Sequence, residues 1–131
     1  MKIETNELTG AALDWAVAKA WQHVYSDGAI TAAIRSGYSP STDWAQGGQI
    51  IEQEGIGLLF DSGSACRSAS WFATPDDQAT QESYEGESFD PAFMVDESVG
   101  VRGPTPLIAA MRCYVASKLG DEVDVPEELC K

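Results

Sequence analysis

Apolar residues recur at helical spacing between residues 10 and 21, where Leu13, Ala16, Val17, Ala20 and Trp21 form one stripe behind Thr9, a residue suited to cap the segment. A helix with that stripe turned to the core is expected. Ser26, Asp27 and Gly28 break the pattern, and residues 29–34 mix alanine, which favours helix, with isoleucine, which favours strand. They are taken as a short strand. A loop at 38–44 leads into a second helix, with Ser41 or Thr42 as cap, Asp43 in the first turn and Gly55 as the stop. The apolar run 56–60 predicts a strand. Residues 66–73 alternate, with Ala69, Trp71 and Ala73 on one face and Ser68 and Ser70 on the other, which predicts a half-exposed strand. Residues 92–95 predict another. A last helix starts at the cap Thr105, has Pro106 in its first turn and ends at Gly120. The fold class is α+β, with three helices packed on a small antiparallel sheet in a single domain over 1–131.

A chain of 131 residues fits one core, and 44% hydrophobic with 22% charged residues excludes collagen-like and fully disordered chains. No apolar run of about 18 residues occurs, and no basic segment leads into an apolar one at the N-terminus, so neither a membrane span nor a secretory signal is expected. An intracellular soluble protein follows. Charge changes the picture more: 8 basic and 21 acidic residues give −13, with −8 in residues 61–100 and +3 in 101–120, the one positive segment. So few scattered cations do not build the surface that a nucleic-acid duplex needs, so direct nucleic-acid binding is not expected. The acidity fits a basic protein partner instead, including mimicry of nucleic-acid charge. The stretch at about 74–91 is predicted to be a mobile acidic loop, and the C-terminus a short acidic tail. The loop's carboxylates lack the ligand order of an EF-hand, which favours a solvated loop over a calcium site. Cys66, Cys113 and Cys130 show no CxxC spacing and indicate reduced thiols, with Cys113 in the core; His23 is the single histidine, too few for a structural zinc set. No metal or cofactor is expected.

Three features carry candidate chemistry. Gly47 and Gly48 cost the second helix roughly 2 kcal/mol against alanine. They share a face with Trp44 and Ile51, which would admit a close backbone neighbour or a flat ligand. Ahead of them stand Tyr38, Ser41, Thr42 and Asp43. Hydroxyls at a helix N-terminus suit capping, and the free amides there suit a phosphate; Tyr38 and Trp44 offer surfaces for stacking or for the core. Arg112 sits in a last helix that is apolar almost all round, so it needs a partner: a carboxylate such as Asp43, solvent at the edge, or an anionic ligand. Enzymatic templates are absent, with no GxSxG elbow, Walker loop or histidine pair.

The stretches LTGAALDWAVAKA (8–20), YSPSTDWAQGG (38–48) and GPTPLIAAMRCYVASKLGDEVDVPEEL (103–129) together resemble the phage NinX-like family of small uncharacterised proteins, over 51 of 131 residues and in the family's order. The Ser-Thr-Asp step before a helix and the late arginine in an alanine-rich helix also resemble the wider phage α/β/α sandwich group. The resemblance implies a phage product acting in the host bacterial cytoplasm, with no catalytic assignment to transfer. The shared patch comprises Ser41, Thr42, Asp43, Trp44, Gly47, Gly48 and Arg112. Residues 21–36 and 74–100 depart from the family, and Gln49 stands where relatives tend to have proline. The leading expectation is a non-enzymatic accessory protein that binds, and by binding sequesters, a small anionic nucleotide-like ligand such as a host immune signal. Tyr38, Ser41, Thr42, Asp43, Trp44, Gly47, Gly48 and Arg112 are its candidate site. The alternatives are an acidic inhibitor of a basic host protein and, third, a small nucleotide hydrolase; assembly as a homo-oligomer stays open.

Overall fold

The computed structural model describes residues 2–21, 26–63, 68–74 and 100–129. The predicted acidic loop after Thr74, the strand at 92–95, and His23, Cys66 and Cys130 lie outside the described residues. Helix α1 (Gly10–Trp21) follows Thr9 as the spacing predicts, but burial runs continuously from Ala12 to Ala18. A helix covered on every side belongs to the middle of a fold, not to its surface.

Residues 29–34 are not a strand. They belong to α2 (Asp27–Arg35), which starts at Ser26, whose Oγ accepts the Ala29 amide at 3.2 Å. Burial at Ile30 and Thr31, half-burial at Ile34 and exposure at Ala32 and Ala33 follow helical periodicity, whereas a strand would bury alternate positions. Four helices are therefore present among the described residues where three were expected.

Helix α3 (Trp44–Glu54) ends at Gly55 as predicted, with φ +64° in the left-handed region. Its cap, however, is Asp43, whose Oδ1 accepts the Ala45 amide at 2.9 Å; neither Ser41 nor Thr42 caps it. The long C-terminal helix α4 (Pro106–Leu119) has the predicted cap, Thr105 Oγ1 accepting the Ile108 amide at 3.1 Å, and stops at Gly120. Thr105→Ala should cost about 1 kcal/mol in urea denaturation, because that amide lies at an otherwise unsatisfied helix end.

Two small antiparallel sheets replace the single sheet expected. One is the ribbon of β1 (Lys2–Glu4) and β5 (Glu122–Asp124), which pairs Lys2 with Asp124, Ile3 with Val123 and Glu4 with Glu122. The other has the order β2 (Gly57–Asp61), β3 (Ser70–Thr74), β4 (Val101–Gly103). The half-exposed strand predicted at 66–73 is shorter, and Phe72, Ala73 and Thr74 are all buried, because β3 is the central strand and α4 covers it. Packed on β3, β4, α1 and α3, α4 is buried at nearly every position from Leu107 to Val115. Cys113 lies in that core, as expected.

Candidate functional site

The loop before α3 is tied down largely by its own hydrogen bonds. Asp43 N donates to Ser39 O at 2.9 Å, Ala45 N to Asp43 Oδ1, and Gln46 N and Gly47 N to Asp43 O at 3.1 and 2.8 Å. Thr42 turns both its amide and its hydroxyl to Ser39 O. Of the amides at 43–45, expected to hold a phosphate, those of Asp43 and Ala45 thus serve acceptors of the chain itself, and the capping carboxylate puts negative charge where an anion would sit. Trp44 is 55% exposed on the outer side.

Ser41 is buried, and its amide donates to Asp14 Oδ1 on α1 at 2.9 Å. That bond seats the loop on the core. Burial pushes the Asp14 carboxyl above its ordinary value, and Ser41 opposes the shift. Only its amide has hydrogen-bond geometry; Ser41 Oγ is buried without a partner. Half-buried Tyr38 is also pushed up, first by burial and then by Asp14. On α4, burial with Glu54 and Tyr38 pushes the Tyr114 phenol up to about 12, so it stays neutral. For Asp14 the folded state holds its proton above the unfolded value of 3.8, so its contribution is greatest below that pH and is lost as pH rises through the folded value. Asp14→Asn should flatten the fall in stability as pH rises above about 4 in urea titrations, since asparagine keeps the acceptor for Ser41 without the charge.

The adjacent glycines play different parts. A Cβ on Gly47 would stand 2.7 Å from Leu107 Cδ2 and nearer still to Pro40 O, whereas one on Gly48 would meet only Trp44 Cε3 at 3.8 Å. Gly47 is where the loop and α4 close on α3.

Arg112 lies elsewhere. It is five residues beyond Leu107, about 140° further round α4, and so turns away from α3. Of the residue, 9% is exposed; Nε donates to Leu8 O at 2.8 Å and Nη1 to Arg102 O at 2.9 Å. Its partners are backbone carbonyls, not Asp43. Burial lowers its pKa and Glu7 opposes this. Two of its nitrogens are thus committed, and the remaining guanidinium N–H groups have no acceptor among the described residues.

Arg112 lines a groove of about 790 Å³, together with residues of the β1–β5 ribbon and of β3 and β4. Arg102, Ser70, Asn6, Glu4 and Glu122 also line it, and none of the candidates between Tyr38 and Gly48 does. Arg102 Nη1 is held at 2.9 Å by both Asp61 Oδ2 and Ser70 Oγ, and its guanidinium stands 5.3 Å from the centre of the buried Phe72 ring. The structure therefore separates Arg112 from the rest of the sequence-derived patch and sets it beside Arg102. Sequence reasoning missed Arg102, Asn6 and Ser70; the signal for Arg102 was the single positive segment. Among the described residues, no group of three or more His, Cys, Asp or Glu side chains could hold a metal ion, and no helix is long and apolar enough to cross a membrane.

A family model described as Bacteriophage P22, NinX matches residues 4–118, which include both arginines, Glu4, Asn6 and Ser70. No curated protein matches the chain.

Proposed function

This chain belongs to the bacteriophage P22 NinX family, and we propose that it acts in the host cytoplasm as a non-enzymatic accessory protein, binding a small anionic, nucleotide-like ligand in the groove beside Arg102 and Arg112. One observation carries this: Arg112, nine-tenths buried in an apolar helix and clamped by two carbonyls, lines the groove and still has N–H donors without an acceptor among the described residues. A clamped arginine loses little freedom when it meets a phosphate or carboxylate, and a charge-assisted bond is stronger than a neutral one. The groove's volume suits a mononucleotide, and Asn6 and Ser70 supply polar contacts. Among the residues singled out in the sequence, Arg112 is the anchor of this reading, while Ser41, Thr42 and Asp43 hold the loop. Sequestering a host signal is one use of such binding.

Calorimetry with mononucleotides tests it. Arg112→Gln should weaken binding about tenfold or more, as expected for losing hydrogen bonds to a charged group. Ser70→Ala and Asn6→Ala, which leave the Arg112 clamp intact, should weaken it less. Binding that is undiminished in Arg112→Gln overturns the reading.

The net charge of −13 supports a second reading, docking on a basic host protein. A pull-down that is lost at high salt but indifferent to Arg112→Gln would favour it.

A further inference from the structure

The groove that Arg102 and Arg112 line is bordered as well by Glu4 and Glu122, which are directly paired in the β1–β5 ribbon. Directly opposed residues point to the same face with Cβ atoms about 4.5–5.5 Å apart, and like charges at that spacing are destabilising. Neither carboxylate makes an ion pair or side-chain hydrogen bond among the described residues, and Lys2, the cation on that face, stands opposite Asp124. A ribbon of three residue pairs thus adds two unanswered carboxylates to the lining of the groove that Arg112, a buried residue with a partly unanswered guanidinium, also lines. The two kinds of lining group ask for opposite things: the arginine for an anion, the carboxylates for N–H donors.

We propose that the groove selects guanine nucleotides, with the phosphate at Arg112 and the Watson–Crick edge of the base at the Glu4–Glu122 pair. A carboxylate accepts two parallel N–H bonds, which guanine supplies from N1–H and its 2-amino group. Adenine and cytosine set an acceptor nitrogen beside their amino group, and uracil offers one N–H flanked by two carbonyls, so each faces the carboxylates with repulsion. Guanine also relieves the Glu4–Glu122 repulsion by placing an electropositive edge against it. The proposal rests on the groove being a nucleotide site.

Calorimetry at about 0.15 M salt, where the long-range repulsion between acidic protein and nucleotide is screened, compares GMP, IMP and AMP on the wild type, Glu4→Gln, Glu122→Gln and Arg112→Gln. GMP should bind about tenfold or more tightly than IMP, which lacks the 2-amino group, and than AMP. Glu4→Gln or Glu122→Gln should abolish that preference while leaving the dependence on Arg112, and either should raise the melting temperature without ligand by about a degree or two. Equal, Arg112-dependent binding of all three overturns the guanine assignment alone. Absence of any Arg112-dependent binding overturns it together with the nucleotide reading.

Discussion

Arg112→Met should lower the free energy of unfolding by about 2–4 kcal/mol, because methionine fills much of the same space yet leaves two carbonyls without their donors, each costing about 1–3 kcal/mol when buried. Leu8 O is the more deeply covered of the two and Arg102 O is partly covered, so the range lies below twice the single-group maximum. Removing a buried charge offsets part of the loss. The guanidinium joins three separate stretches, the turn before α1, strand β4 and helix α4, so the variant should also loosen the walls of the groove. Arg112→Lys should recover only part of the stability, since one ammonium does not reproduce a planar fork held at two carbonyls. Urea denaturation, with hydrogen exchange along β4, measures both effects. A methionine variant as stable as the wild type would show that the clamp adds nothing to the fold. Domains of ordinary stability, about 5–15 kcal/mol, stay folded after such a loss, so the Arg112 variants remain usable in binding experiments.

Alanine at Gly47 and alanine at Gly48 should move stability in opposite directions. At Gly47 the new methyl meets Leu107 Cδ2 and the Pro40 carbonyl, and a backbone oxygen cannot swing aside as a side chain can. Overpacking of this kind costs about 1–3 kcal/mol, more than the helix propensity that alanine restores. The displaced segment also carries the Ser41 amide that is bonded to Asp14, so the Gly47 variant should lose part of the pH dependence assigned to Asp14. At Gly48 only ordinary contact awaits the methyl, and alanine should stabilise the helix by up to about 1 kcal/mol. Paired denaturant titrations read the difference directly. Two losses of equal size would mean that both glycines serve close packing.

Much of the local structure was legible in the residues. The limits of α1, the Gly55 stop of α3 and the Thr105 cap of α4 are short-range effects, set by side chains within a turn of the backbone they satisfy. Residues 29–34 misled because alanine and isoleucine pull in opposite directions, and the outcome depended on Ser26 capping and on which side chains met the core. The exposed face expected for β3 failed similarly, since alternation records only one covered face and cannot announce a helix arriving over the strand.

The sequence alone determined that Arg112 needs an answer inside an apolar helix, that glycine at 47 or 48 admits a close neighbour, and that an acidic α+β domain results. Tertiary structure decided which answer and which neighbour. It bound Arg112 to Leu8, 104 residues earlier in the chain, set Arg102 beside it, and opposed Glu4 to Glu122 across a ribbon that joins the two ends of the described chain. Propensity and capping act over a few residues and are written in local order, whereas a groove is made by side chains that meet only after distant segments pack, so its charge pattern exists in no single stretch of the chain.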